Sequence, residues 1–369
     1  LHIVLFFSKL AKRGVHMKWL LGISLCGTLA LQAQQPAAPS HAQKQPQPAY
    51  DADLFRRDVP VFSAHAGFLY WRVQEGALDY ALKMQNTAWS TSANCFASGD
   101  FEKVTFNGDP GFRVALSYFR APNYWEIFGK YTRLTARGND AAVKPDNPNE
   151  FLTGTWPELL GTNVPLTGAN SYIHLNYNVA DLLVDRYFNP NPHLRLRLLG
   201  GATMTWMNQD WIIRYYNSLG QITKIDNRWR YIGGGFRVGT WVDWFWTRDL
   251  YMTAEMTTSI LLGSYQNWSK QWAGSASQAG DNLTIPVRDT RYSDIRPTFC
   301  VQALVGPSWQ KNFTNYRVEV FAGYELNTWF NIHEVYRSTA GTPSATKETL
   351  INTGLLTLQG LTTRVTVDF

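Results

Sequence analysis

Histidine is the side chain best suited to moving protons near neutral pH. Beyond the first 33 residues the chain has five: His41, His65, His174, His193 and His333. His333 stands next to Glu334, and it and His174 fall near the ends of alternating segments, where a general base could reach a substrate. Neither has a cluster of acids close in sequence to orient it. Nucleophile-elbow, phosphate-loop and zincin patterns are also missing, so no catalytic residue is assigned and the chain is not expected to be an enzyme. Cys95 and Cys300, the two cysteines left after Cys26, lie far apart in no metal-ligand spacing, which leaves metal and cofactor unassigned. In an oxidising compartment the two could pair with each other or with another chain, although inert thiols are the commoner outcome.

The charged residues are more informative, because they recur with a period of two. Over 193–206, Leu194, Leu196, Leu198, Ala202, Met204 and Trp206 oppose Arg195, Arg197, Thr203 and Thr205. Over 251–262, Met252, Ala254, Met256, Ile260 and Leu262 oppose Thr253, Glu255, Thr257 and Ser259. Over 316–327, Tyr316, Val318, Val320, Ala322, Tyr324 and Leu326 oppose Arg317, Glu319, Glu325 and Asn327. Alternation of this kind is the signature of strands with one greasy and one polar face. If the greasy face meets lipid, a charge placed there would cost ~2–4 kcal/mol. Arg195, Arg197, Arg237, Glu255, Arg317, Glu319 and Glu325 are therefore expected to line a watery interior. Segment 171–188 breaks phase, since Ile173, Leu175, Tyr177 and Val179 alternate on one parity and Leu182 and Val184 on the other. A bulge near Val179–Asp181, or a shift of register, accounts for it.

Ten such segments are expected, near 61–84, 110–120, 123–135, 171–188, 193–216, 228–247, 249–265, 291–310, 315–332 and 349–369. Short turns at Ala121-Pro122-Asn123, Asn189-Pro190-Asn191-Pro192, Thr247-Arg248-Asp249 and Lys311-Asn312-Phe313-Thr314 alternate with polar loops at 85–109, 136–170, 217–227, 266–290 and 333–348. This fits an all-β transmembrane antiparallel barrel of about ten strands, with short periplasmic turns and long outer loops. Twelve or more strands is the alternative, should some long segments be double. The last strand carries Leu361, Val365, Val367 and Phe369 on one face, interrupted by Thr363, against Thr362, Arg364, Thr366 and Asp368. It is expected to close the barrel on the first strand and to be the handle for the barrel-assembly machinery, with both termini periplasmic.

Aromatic residues make up 14% of the chain, including 15 tryptophans, and gather at the segment ends. Tyr118, Tyr124, Trp125, Tyr187, Trp244, Trp246, Tyr251, Trp309 and Tyr316 flank the short turns, as does Phe119, and are expected to form the lower girdle at a lipid–water boundary. Trp211, Tyr215, Trp229, Tyr231, Tyr265, Trp268, Trp329 and Phe330 are expected to form the upper one.

The N-terminal region reads as an export signal. Met17-Lys18 precedes an apolar run from Trp19 to Leu31, too short for a spanning helix of ~20 residues, and cleavage is expected near Gln32-Ala33. Residues 1–16 are either an upstream mis-start before Met17 or an extended basic region, and Leu25 is too large for lipidation at Cys26. Domains are thus read as a signal peptide over 1–33, a flexible Gln/Pro/Ala-rich lead over 34–60 and a barrel over 61–369. Of 34 Lys+Arg and 28 Asp+Glu, four bases (Lys9, Lys12, Arg13, Lys18) and no acid lie before Ala33, leaving 30 bases against 28 acids, a balance of +2. No basic tract argues for nucleic acid.

Four stretches resemble the Legionella-type pore-forming outer-membrane protein family, also found in chlamydia-like bacteria. They are Gly354–Phe369, Gly67–Ala81, Leu175–Leu182 and Gly234–Gly239, and they span 61–369 between them. Where that family often has a large residue in the last strand, this chain has Val365 and Val367, with the alternation intact. The resemblance implies a porin-like or major surface protein, outer-membrane lipid as surroundings, and no catalytic motif to carry over. Two functions follow as expectations, a porin and, as its alternative, a structural barrel. One is a porin for small hydrophilic solutes or ions, with Arg195, Arg197 and Arg237 facing Glu255, Glu319 and Glu325 across the lumen to set a transverse field. The other is a structural or adhesive surface barrel with a closed lumen, since ten strands enclose little more than side chains. A homo-oligomer is compatible with both, because barrel trimers hide apolar seams that look like lipid faces.

Overall fold

A computed structural model describes residues 59–84, 99–120, 124–148, 150–156, 166–273, 286–338, 348–351 and 354–369. The signal peptide, all of the lead except Val59 and Pro60, His41, Cys95 and the turn at 121–123 lie outside the described residues. Fifteen strands follow in chain order: β1 Val61–Glu75, β2 Asp79–Met84, β3 Gly99–Lys103, β4 Gly108–Arg120, β5 Trp125–Val143, β6 Phe151–Gly154, β7 Leu166–Asn191, β8 Leu194–Asn217, β9 Ile222–Phe245, β10 Leu250–Ala273, β11 Pro286–Asn312, β12 Arg317–Phe330, β13 Val335–Ser338, β14 Glu348–Ile351 and β15 Leu355–Asp368. Ten of them close a barrel in the order β1-β15-β12-β11-β10-β9-β8-β7-β5-β4. Every neighbouring pair is antiparallel. The seam runs from Ser63 opposite Asp368 to Glu75 opposite Leu356, and the Phe369 amide donates to the Phe62 carbonyl at 2.8 Å. Closure matters because an open edge in hydrocarbon would leave backbone groups without partners.

Both ends of the ring, Val61 and Asp368, lie at the same end of the barrel as the tight turns after β7, β9 and β11. At this terminal end the turns are held by short bonds: His193 N–H to Asn191 Oδ1 (2.9 Å), Leu250 N–H to Thr247 Oγ1 (3.1 Å) and Phe313 N–H to the Tyr316 carbonyl (2.8 Å).

Between register shifts at the ends of β7 and β10, parity is constant along each long strand, but the chemistry of the two faces is not. On β8 the outward residues are Leu194, Leu196, Leu198, Ala202, Met204 and Trp206, then Asn208, Asp210 and Arg214; the inward ones are Arg195, Arg197, Thr203 and Thr205, then Met207, Trp211, Ile213 and Tyr215. The outer face turns polar at the level where the inner face turns apolar. β9 does the same between Ile232 and Arg230, and β10 between Leu262 and Gln266. The terminal half of the barrel has lipid outside and charge inside. The far half has water outside and a hydrophobic core inside.

This inversion explains the phase break in β7. Pairing with β5 and β8 runs without a shift from Ser171 to Arg186, so there is no bulge at Val179–Asp181. Ile173, Leu175, Tyr177 and Val179 point into the far-end core, whereas Leu182 and Val184 point out at lipid on the opposite parity. The expected long loop at 217–227 is likewise replaced by a tight turn. β8 and β9 pair up to Tyr216 opposite Ile222, and Gly220 takes the positive φ of 72° that closes the hairpin. Lys224, Asp226 and Arg228 are the watery face of a strand whose other face buries Thr223 and Ile225.

The segment expected as one strand over 61–84 splits at Ala77, whose φ is 55°. β2 then joins β3 and β6 in a separate three-stranded sheet. Its Leu78, Tyr80 and Ala81, with Trp156 beyond β6, share one core with Trp211, Ile213 and Tyr215 of the barrel wall, and the Tyr215 hydroxyl donates to the Tyr80 carbonyl at 2.5 Å. β13 and β14 form a second small hairpin.

A charge at mid-belt should therefore cost far more than one just above it. Val238→Arg, half-exposed on the lipid face of β9, is expected to lower stability by ~2–4 kcal/mol in denaturant titrations from lipid vesicles. Asn208→Arg is expected to change it by no more than about 0.5 kcal/mol. Equal costs would show that the lipid boundary is misplaced.

Candidate functional site

The inward residues of the terminal half converge on a network of charges across the lumen. Arg113 on β4 makes a two-pronged ion pair with Glu325 on β12, 2.9 Å and 2.8 Å, although β1 and β15 stand between those strands in the ring. Glu325 also accepts from Gln302 (2.8 Å), Asn327 (2.9 Å) and Thr362 (2.7 Å). The Gln302 carbonyl receives Arg237 at 3.1 Å, and Arg237 reaches Asp181 at 3.0 Å and Ser259 at 2.8 Å. Asp181 is bonded in turn by Thr203 (2.7 Å) and lies 3.5 Å from Lys130, which is 3.9 Å from Glu255. Asp181–Arg237–Gln302–Glu325–Arg113 is thus one continuous chain from β7 to β4. Buried ions survive only when paired and hydrogen-bonded, and this chain meets both conditions.

Immediately beyond it lies an aromatic layer. Tyr177 stands 6.2 Å from Trp71 and 6.1 Å from Trp329, both edge-on, and the Trp71 indole N–H donates to Thr362 at 3.0 Å. The Arg113 guanidinium lies over the Trp71 ring at 5.5 Å, joining the two layers. Above, Trp156, Trp211, Trp229, Tyr231 and Tyr265 fill the far half. His333 bonds Glu75 at 2.6 Å within that core, and Tyr265 donates to the Glu334 carbonyl at 3.0 Å.

Towards the terminal end the packing is looser. Arg195 bonds Asp243 at 2.8 Å, Arg364 bonds Glu319 at 3.0 Å, and Arg317 pairs with Asp368. Arg197 lies 3.6 Å from Glu126 and 3.7 Å from Asp243. The guanidiniums of Arg197 and Arg364 lie 4.2 Å and 4.4 Å from the Trp241 ring. Cavities of about 60 Å³ and 40 Å³ share His65, Glu126, Arg197, Trp241 and Arg364 in their walls. Such spaces hold a few waters. Among the described residues no group of His, Cys, Asp or Glu is placed to hold a metal ion.

A family model described as the Legionella pneumophila major outer membrane protein precursor matches residues 58–369. The chain belongs to that family. The family is one of major outer-membrane proteins, and the ten-stranded ring is the architecture such proteins use in lipid. No protein of curated function matches the chain. Among solved structures, the outer membrane protease OmpT from Escherichia coli is similar at 10% identity, TM-score 0.37, over 87% of this chain and 99% of that one. The Pseudomonas putida toluene transporter TodX is similar at 7% identity, TM-score 0.29, over 84% and 89%, and a Pseudomonas aeruginosa FadL homologue at 7%, TM-score 0.24, over 84% and 90%.

In this member of the Legionella major outer membrane protein family, Arg195, Arg197, Arg237, Glu255, Arg317, Glu319 and Glu325 all point inward. They do not form opposing rows across open water, as the transverse-field expectation required. Most have local partners of opposite sign, because burial makes an unpaired charge too costly. Arg113, Glu126, Lys130, Asp181, Asp185, Asp243, Arg364 and Asp368 complete the network and were not singled out in the sequence. Inward parity was the available signal, and Arg364 and Asp368 already stood on the polar face of the last strand.

The lower girdle divides. Tyr118, Trp125, Trp244, Trp246, Trp309 and Tyr316 face outward, and Tyr124 packs half-buried against Val61 and Phe119. Tyr251 and Tyr187 instead turn inside. Tyr251 stacks on Phe245 at 4.5 Å, and Tyr187 donates to Glu126, each beneath an arginine that its ring attracts. The upper girdle is corrected more deeply: Trp211, Tyr215, Trp229, Tyr231, Tyr265 and Trp329 are core residues, leaving Trp268 and Phe330 facing out. Outward Tyr131 and Trp206, stacked at 5.9 Å with Asn178 bonded to the Tyr131 hydroxyl at 2.9 Å, stand at the boundary instead. Leu361, Val365 and Phe369 are exposed on the lipid face with Val367 half-buried beside them. Cys300 is a free thiol buried in the core.

Arg113→Ala would strand Glu325 as an unneutralised buried charge, and a loss of ~3–5 kcal/mol is expected in vesicle-based unfolding. Adding Glu325→Gln should return much of that loss. A double variant no more stable than the single one would show that the pair is not the source of the effect.

Proposed function

We propose that the protein is a structural surface barrel of the bacterial outer membrane, with both termini in the periplasm and a lumen shut by its own side chains. The supporting observation is the double layer at mid-barrel, where the Asp181–Arg237–Gln302–Glu325–Arg113 chain lies against Trp71, Tyr177 and Trp329. A diffusion pore needs a continuous water path, and here polar bonding and aromatic packing occupy the cross-section in succession. The far-end crown, built on β2, β3 and β6, is then the part offered to the surroundings. No catalytic role is assigned. Lipid surrounds the belt, and Leu361, Val365, Val367 and Phe369 would serve as the handle for assembly.

Passive diffusion of small hydrophilic solutes or ions is the second reading, favoured by the two charge-lined cavities below the double layer. Such a pore would require Trp71, Tyr177 and Trp329 to move aside. Planar-bilayer recording of the purified, refolded chain separates the two readings. The surface-barrel reading expects no resolvable current steps from the wild type, and steps from Trp71→Ala/Trp329→Ala, whose folding is checked by faster gel migration before boiling. Steady single-channel openings in the wild type would instead establish the porin.

A further inference from the structure

The row of residues just beyond the lipid belt is mostly neutralised. Arg228 bonds Asp226 at 2.8 Å and lies 3.3 Å from Asp210, Lys270 lies 3.2 Å from Asp289, and Arg291 is 4.0 Å from the same carboxylate. One sector differs. Arg72 on β1, with Arg133 and Arg137 on β5, is exposed and faces outward, and none of the three forms an ion pair among the described residues. The nearby acid Asp109 accepts the Arg137 backbone N–H at 2.8 Å and forms no ion pair with the three arginines.

The strands set these arginines on either side of Gly108. Arg72 lies opposite Gly108 of β4, and the Asn107 N–H donates to the Arg137 carbonyl at 2.9 Å, so Gly108 stands between Arg72 and Arg137. Two strand spacings put their backbones roughly 10 Å apart. Gly108 has no side chain, and the Tyr70 ring takes up that space, its Cε1, Cζ and hydroxyl oxygen each 2.9 Å from where a Cβ would be. Arg133, opposite Phe112, borders the sector on the side nearer the lipid. Below run exposed Phe68, Phe112, Val114 and Leu116.

We infer that this sector binds the phosphate group of a membrane lipid in the leaflet at the far end of the barrel. Guanidinium groups on either side of the Tyr70 hydroxyl suit phosphate oxygens, which arginine binds in bidentate fashion and to which a phenol O–H can donate. The apolar strip directly beneath suits acyl chains, which makes a lipid a better fit than a free anion. The inference uses the membrane placement of the barrel and does not depend on whether the lumen conducts.

The test is binding of diphosphoryl lipid A to the full refolded chain in a zwitterionic detergent, followed by native mass spectrometry. Arg72→Gln/Arg133→Gln/Arg137→Gln is expected to weaken binding about tenfold or more through loss of charge-assisted contacts, while Arg228→Gln/Arg291→Gln leaves it unchanged. Faster migration of the unboiled triple variant on a gel establishes that it is folded. Equal binding by wild type and folded triple variant would overturn the inference, as would equal weakening by both sets. Displacement of the lipid by an equimolar amount of inorganic pyrophosphate would overturn it too, since the anion alone would then account for binding. If bilayer recording establishes a porin while these binding differences hold, the lipid site stands by itself.

Discussion

Ring closure of the backbone is the constraint from which the rest follows. With β1 bonded to β15 along thirteen residue pairs, no strand can rotate about its axis without breaking hydrogen bonds on both sides. Each residue's parity then decides whether it faces in or out along the whole length of the wall. Strands β7 to β11, at 24 to 27 residues, far exceed the 9–11 or so that cross a bilayer. They must satisfy two environments in sequence with one unchanging parity. The polarity inversion near Trp206, Ile232 and Leu262 is the only way to do so.

That inversion produces two interiors with different physics. In the lipid-embedded half, apolar side chains are better used outside, and the inside is left to charges that neutralise one another. The Arg113–Glu325 pair spans the lumen because inward groups on nonadjacent strands are the nearest partners available to each other. In the far half the same inward positions meet other apolar groups, and burial there is driven by the hydrophobic effect as in a water-soluble protein. His333 and Glu75 enter that core as a bonded couple, the form in which a buried polar group is tolerated.

Much of the fold was legible in the sequence. Alternation in β4, β8, β10, β12 and β15 gave the strand number, and the turns after β7, β9 and β11 fell where Pro, Asn, Asp and Thr interrupt it. The seven named charges lie on the inward parity of their strands, and alternation says nothing of what they meet there. What escaped was the meaning of alternation above the boundary. Tryptophan and tyrosine satisfy a lipid interface and a protein core equally well, so Trp211, Tyr215 and Trp229 read as girdle until their parity is set against that of Arg195 on the same wall. The phase break at Val179–Asp181 is plain in the sequence, but neither a bulge nor a shift of register is its cause, because a change of surroundings leaves the same trace in a single strand. The pairing of Arg113 with Glu325 could not be read at all, for the two are 212 residues apart and on strands that never touch.

The seam between β1 and β15 also governs how the molecule comes into being. His65 shares a hydrogen bond with Thr366 across 301 positions of chain, at 2.7 Å. Contacts so remote must close a long loop before they reward the chain, and non-local pairing of this kind is slow. Until the final stave is in place, β1 and β12 each present a bare edge that would template association with any other strand. The unfinished chain is therefore a species in need of shelter, and its passage to the membrane is a kinetic hazard that the finished cylinder no longer shows.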